Sequence, residues 1–311
     1  MTTLPRTRVA ALALTAALAV ALVGCGDDDE PRAEDPTPVG GSPSAPPSTS
    51  PSTSPSTSPS GSPSPSEDGA TEETVTVPVY FVADTPQGSR LFREFRRVGA
   101  EDPLEAAAAL MTAGDALDPD YRTAYPDGAF ASVAHDREGF RVELADESWT
   151  TPAGQDSSEE SVLAAQQLVL TLQGVQQERS PVRVFLDGAP VTLFGVDTAR
   201  GVTARPPLEV LGLVNVTAPE EGATVSGTFT ASGVASSFEA TVPWEVRRGR
   251  KVVLDGFTTA EGWMDRLWPW EAEVDVSGLA PGEYTFVAMT DDPSAGEGPG
   301  PHADSKTITV E

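Results

Sequence analysis

Residues 26–74 cannot build a hydrophobic core, and this decides where the chain can fold. The stretch is dominated by Pro, Ser, Thr, Gly and acidic residues, with Ser-Thr-Ser-Pro repeated three times from Ser48 to Pro59. So few apolar side chains cannot offset the entropy of ordering the backbone, and the prolines favour extended segments. The tract is expected to be a disordered spacer. Roughly 50 such residues reach ~150 Å fully extended and span ~40 Å as a flexible coil. The Ser/Thr-with-Pro composition also suits an O-glycosylated stalk. Compact structure is expected only beyond it, where the remaining length suits two domains.

The segment ahead of the spacer carries Arg6 and Arg8, a small-and-apolar run from Val9 to Val23, and Leu22-Val23-Gly24-Cys25. At about 15 residues the run is shorter than the ~20 a spanning helix needs. Acidic residues, Asp27 to Glu30, follow it instead of a basic stop. The pattern predicts a secretory leader over residues 1–24 ending in a lipobox. It resembles bacterial lipoprotein precursors, and that resemblance implies a diacylglyceryl group on the Cys25 thiol and cleavage just before it. One acyl chain holds a membrane marginally, whereas two or three hold firmly. The expected location is then the outer face of the cytoplasmic membrane, with residues 25–74 forming the lipidated cysteine and linker. Cys25 is the one cysteine of the chain. Disulfides and thiolate metal sites are therefore excluded, and no cofactor beyond the lipid is expected.

Charge narrows the partners. Lys and Arg total 20 against 47 acids, a net charge of -27. No region offers the basic surface that phosphate backbones require, so nucleic acid binding is excluded. Attachment to anionic lipid by charge alone is disfavoured for the same reason.

Residues 75–205 read as a small α+β domain. Val75 to Val82 alternates as a strand, with Pro78 arguing for an edge position, and Leu91 to Val98 suits a second strand. A helix should start after Asp102 as N-cap, with Pro103 in its first turn, Glu105 closing a capping box, and Leu104, Ala108 and Met111 on the buried face before Gly114. Ala129 to Ala145 reads as a hairpin turning over Asp136 to Gly139. A second helix begins near Ser157 with Glu160 in a capping box, and Val162, Ala165, Leu168, Val169 and Leu172 as its stripe. Strands at Val182–Leu186 and Val191–Phe194 complete a mixed sheet carrying two helices. The Val79-Tyr80-Phe81 strand, the Pro103-Leu104 helix, the run Ser161 to Leu168 and the segment Val184 to Gly188 together resemble a GerMN domain. That family occurs in sporulation, germination and other envelope lipoproteins, and the resemblance implies an assembly module.

Residues 206–311 show short alternating segments every 10 to 15 residues: Leu213–Thr217, Thr224–Ala231, Glu239–Arg247, Lys251–Thr259, Trp268–Val276, Tyr284–Thr290 and Ser305–Val310. Seven strands separated by turns predict an all-β sandwich, which the resemblance that follows makes immunoglobulin-like. Pro219 with Gly222 and Gly227, Ser232-Gly233, Trp244-Glu245, Pro281-Gly282-Tyr284 and the Asp291 to Gly298 tail resemble the immunoglobulin-like domain of bacterial spore germination. Neither resemblance supplies a catalytic residue.

The chain has two histidines, His135 and His302. Both are expected at the surface, and no nucleophile elbow, zinc helix or phosphate loop is present. A carboxylate pair for glycan hydrolysis remains open, since that chemistry needs only two acids at the right spacing. Asp291, Asp292 and Glu297 form a weak calcium candidate, with a solvated acidic loop as the alternative. Arg90, Arg93, Arg96 and Arg97 are a candidate contact for a wall polyanion, or an exposed strand face moderated by Glu94. Trp263 is a candidate sugar-stacking or partner-binding residue, whereas Trp268 and Trp270 share a strand face and are expected in the core. The leading expectation is a non-enzymatic, membrane-anchored interaction, assembly or regulatory module binding an envelope protein. A wall-glycan-binding module and an envelope hydrolase are the alternatives.

Overall fold

The computed structural model describes residues 73–152, 158–292, 294 and 296–311. The expected leader, Cys25 and nearly all of the expected spacer lie outside the described residues. No described helix is long and apolar enough to cross a membrane.

The first domain opens with a long antiparallel hairpin, β1 (Thr74–Thr85) and β2 (Gly88–Gly99), each extending past the expected strand. β1 has β2 as its one ladder partner, as Pro78 requires of an edge strand. α1 (Pro103–Ala113) follows and ends on Gly114 in the left-handed conformation. Its expected capping box does not form. Asp102 makes no side-chain cap bond. Glu105 instead accepts the Val133 amide of β3 (Phe130–Asp136), because that edge donor has no strand to pair with.

β3 and β4 (Gly139–Leu144) form the expected hairpin. From β4 the chain crosses through α2 (Ser158–Gln176) to β5 (Val182–Leu186), which pairs parallel to β4, and β6 (Ala189–Pro190) ends this four-stranded mixed sheet. The strand expected over Val191–Phe194 is not formed. A tight turn bridging Leu193 to Val196 stands there, with Phe194 at φ 49 and both Leu193 and Phe194 buried. The two side chains reach the core by turning in.

α2 buries far more than its apolar stripe. Gln167 donates to the Tyr80 carbonyl and accepts the Ala124 amide, and Thr171 accepts the Tyr80 amide. These side chains replace a missing strand along β1. Gln166 likewise holds Thr203 and Arg205. Phe81, Phe92, Met111, Phe140, Leu168 and Leu172 fill the core between.

The second domain is a sandwich of two sheets. One runs in the order β11-β10-β13-β14-β8 and the other β12-β9-β7. These strands are β7 (Val214–Ala218), β8 (Ala223–Val225), β9 (Thr228–Ala235), β10 (Thr241–Arg248), β11 (Lys251–Thr259), β12 (Trp268–Asp275), β13 (Gly282–Met289) and β14 (Ala303–Val310). The segment expected as one strand, Thr224–Ala231, is two. Gly227, at φ 60, turns the chain so that β8 joins one sheet and β9 the other. The beginning of the Glu239–Arg247 segment is a 3-10 turn, Phe238–Ala240, with Glu239 and Ala240 at positive φ. Val214, Val242, Val246, Trp270, Phe286 and Ile308 form this core.

α3 (Pro207–Val210) lies between the domains, after which Leu91 of β2 bridges Leu211 and accepts the Gly212 amide.

Candidate functional site

The two domains meet on a buried polar cluster to which both contribute. Alternation along β14 places Asp304, Lys306, Ile308 and Val310 on one buried face. Ile308 and Val310 enter the sandwich core, while Asp304 and Lys306 meet the first domain. From that domain come Glu94 on β2 and Asp118 and Tyr121 in the loop after α1. Lys306 Nζ donates to Asp118, to Tyr121 Oη at 2.9 Å and to Asp304 at 3.4 Å. Tyr121 donates to Asp304 Oδ1 at 2.8 Å. Asp304 Oδ2 accepts the Val216 amide at 2.6 Å and Asn215 Nδ2 at 3.0 Å. Glu94 accepts the Leu117 and Asp118 amides and pairs with Arg96.

Burial pushes the Asp118 carboxyl up to about 6, with Lys306 opposing and Asp304 adding to the rise. Burial, then the Asp304 and Asp118 charges, hold the Tyr121 hydroxyl well above its ordinary range. Burial acts to lower Lys306, but Asp304 and Asp118 outweigh it and the net shift is upward. A lysine, a tyrosine and two aspartates suggest acid–base chemistry by type alone. Here Tyr121 and Lys306 are both held protonated, and their polar atoms are engaged within the protein. Neither of the two is a general base in that state, and the raised Asp118 carboxyl is 2% exposed and bonded to Lys306. The cluster ties two domains together.

Several depressions border this seam. A cleft of about 490 Å³ is lined by Asp84, Asp120, Tyr121, Arg247, Asp304 and Ser305 among others. A second groove, about 400 Å³ and mainly apolar, runs past Leu208, Leu213, Phe238, Met264, Pro301 and His302.

The structure spreads the sequence-predicted site residues across the molecule. Arg90 donates to the Glu209 carbonyl, Arg96 to Asp115 and Glu94, and Arg93 to Thr217 while lying over the Phe95 ring. Arg97 is exposed. Along β2 the four alternate between faces, so they do not present one free cationic surface. Trp263 is 50% exposed and meets Phe238 edge to face, whereas Trp270 is buried and Trp268 partly buried on the sandwich core. Asp291, Asp292 and Glu297 do not converge. Asp292 accepts the Ser294 and Gly296 amides within its own turn, and no group of three potential metal ligands gathers among the described residues. His135 is mostly covered, its Nε2 3.4 Å from Ser180 Oγ, and not freely at the surface as expected. His302 departs further, being 1% exposed. Its main chain pairs with Thr290, extending the β13–β14 ladder and drawing the ring inside. The buried cluster escaped sequence reading, although the alternation of Asp304, Lys306, Ile308 and Val310 already marked two charges on an inward face.

Residues 78–192 match the family model described as sporulation and spore germination, and residues 213–297 match the immunoglobulin-like domain of bacterial spore germination. The chain joins a GerMN domain to an immunoglobulin-like domain. Both are germination-related domain types of the binding kind, and neither is an enzyme family. No curated protein matches the chain. Among solved structures, the tandem GerMN domains of the sporulation protein GerM from Bacillus subtilis are similar at 13% identity and a TM-score of 0.35, covering 66% of this chain. This chain spans 62% of that one, and so distant a likeness carries no argument. The GerMN match contains the strand, helix and Ser161–Leu168 segment that suggested it. The polar residues of that helix, Gln166, Gln167 and Thr171, are its structural struts.

Proposed function

We propose that this protein is a lipid-anchored, extracytoplasmic lipoprotein whose GerMN and immunoglobulin-like domains act as one non-enzymatic interaction module for assembly or regulation in the cell envelope. The observation that carries the module reading is the buried cluster of Asp118, Tyr121, Asn215, Asp304 and Lys306. It spends the most enzyme-like side chains of the molecule on joining the two domains. The anchor reading rests on the Leu22-Val23-Gly24-Cys25 lipobox and the spacer after it. Cys25→Ala is expected to move the protein from the membrane fraction to the soluble exported fraction. Unchanged membrane retention overturns the anchor.

The half-exposed Trp263 against Phe238 favours a second reading, a wall-glycan contact through stacked indole. Sedimentation of the full chain with purified cell wall, lost in Trp263→Ala, would support it.

A further inference from the structure

The apolar groove beside the seam has three properties that together describe an occupant. Its rim is aromatic and exposed: Phe238, Trp263 and Met264 are 37%, 50% and 56% accessible. Solvated apolar side chains gathered in this way mark interaction surfaces. The backbone that presents them is strained, with Glu239, Ala240 and Met264 at φ 51, 59 and 61. Such conformations persist where surrounding structure and function hold them.

Its floor holds a polar group without a partner. His302 lines the groove, is 1% exposed, and has no hydrogen-bond partner at Nε2. The Leu213 amide donates to Nδ1. Burial and the nearby Arg90 charge lower its pKa, so the ring is neutral and carries its proton on Nε2. The groove wall therefore carries an unpaired, covered donor.

Its border is acidic. Asp291 and Asp292 line it, and Glu239, Glu261 and Asp265 flank the aromatic rim. Of the nearby cations, Arg266 lies over the Trp268 ring and Arg90 is bound to the Glu209 carbonyl. An anionic ligand would be repelled, and a basic one attracted.

We propose that this groove docks a segment of a partner protein that combines apolar with Lys/Arg side chains and seats it against the wall that His302 forms. The proposal deepens the interaction-module reading and rests on it, while being independent of the lipid anchor.

The test uses the full chain and three short synthetic peptides, alternating Leu/Lys, Leu/Glu and Ser/Lys. The Leu/Lys peptide is expected to bind saturably, shift tryptophan fluorescence and perturb the His302 ring resonances, which are simple to assign beside the one other histidine. Phe238→Ser and Met264→Ser, both at exposed positions, are each expected to raise its Kd at least about tenfold, roughly 1.4 kcal/mol. Phe257→Ser, exposed on β11 and outside the groove, should leave it unchanged. Absence of Leu/Lys binding overturns the proposal, as does equal binding of Ser/Lys or Leu/Glu, or binding indifferent to the two groove variants. Self-association of the chain abolished by Met264→Ser overturns it in favour of a second copy. Wall glycan binding at Trp263 without peptide binding overturns it in favour of a sugar. Membrane release of Cys25→Ala is scored separately, so failure of the groove and failure of the anchor are distinguishable.

Discussion

At the scale of single residues, Asp118 and Lys306 hold the most consequential charges. The folded pKa of Asp118, about 6, lies above its ordinary 3.8, so the folded state binds this proton more tightly than the unfolded one. Its contribution is fully present below about pH 3.8 and is lost as pH rises through about 6. Asp84, Asp146, Asp275 and Asp292 lie below their usual value, each held there first by a neighbouring serine hydroxyl. They act oppositely, losing stability as pH falls below 3.8. Between pH 7 and 5 the Asp118 contribution stands clear of them, and it is opposed there by His302, whose pKa burial lowers from 6.5 so that the unfolded chain takes up this proton more readily than the folded one. Over that interval the Asp118 contribution alone raises the melting temperature, by the equivalent of about 1 kcal/mol at most after allowing for partial solvent screening. Asp118→Asn should remove that rise and leave stability falling with pH through His302, and thermal melts of both proteins across pH would check it. Lys306→Met leaves two carboxylates facing each other without a cation. Urea unfolding is expected to show a loss of about 3–5 kcal/mol. Asp118 was not visible as special in the sequence, because nothing in a polar loop announces which acid will be covered by another domain.

At the scale of elements, close approaches and unpaired edges decide what each residue must be. A Cβ at Gly233 of β9 would stand 2.0 Å from the Asn215 carbonyl oxygen of β7 and 2.9 Å from the Trp270 ring. Backbone cannot yield as a flexible side chain does. Gly233→Ala is therefore expected to cost about 1–3 kcal/mol by forcing β7 and β9 apart, measurable by denaturant titration. Because Asn215 also donates to Asp304, the same change should loosen the seam. On the first domain, Glu105→Ala would leave the Val133 amide of β3 open. Faster hydrogen exchange at Val133 and a loss of about 1 kcal/mol are the expected results. Periodicity located most of these elements, since alternation and helical stripes are local. It misjudged the capping box at Glu105 and the strand at Val191–Phe194, where distant partners outcompete the local preference.

At the scale of the whole molecule, the seam should make the GerMN and immunoglobulin-like domains unfold as one. Calorimetry is expected to give a single transition for the full chain and two for Lys306→Met, since that variant removes the charge both domains share. Two transitions in the unaltered protein would show that the domains are only loosely joined. The mixed α+β domain ahead of an all-β sandwich, and the inward stripe of α2 through Leu168, were legible in the sequence by itself. Those features follow from composition and from periods of two and 3.6 residues, which each segment carries within itself. Tertiary structure alone decided that Asp304 and Lys306 close a charge cluster with Asp118 and Tyr121, that Arg90 of β2 is bound to the Glu209 carbonyl, and that His302 is drawn into a groove wall. Each of those depends on residues distant in the chain coming together, and no local pattern records which buried donor or acid will meet its partner across up to nearly two hundred residues of chain.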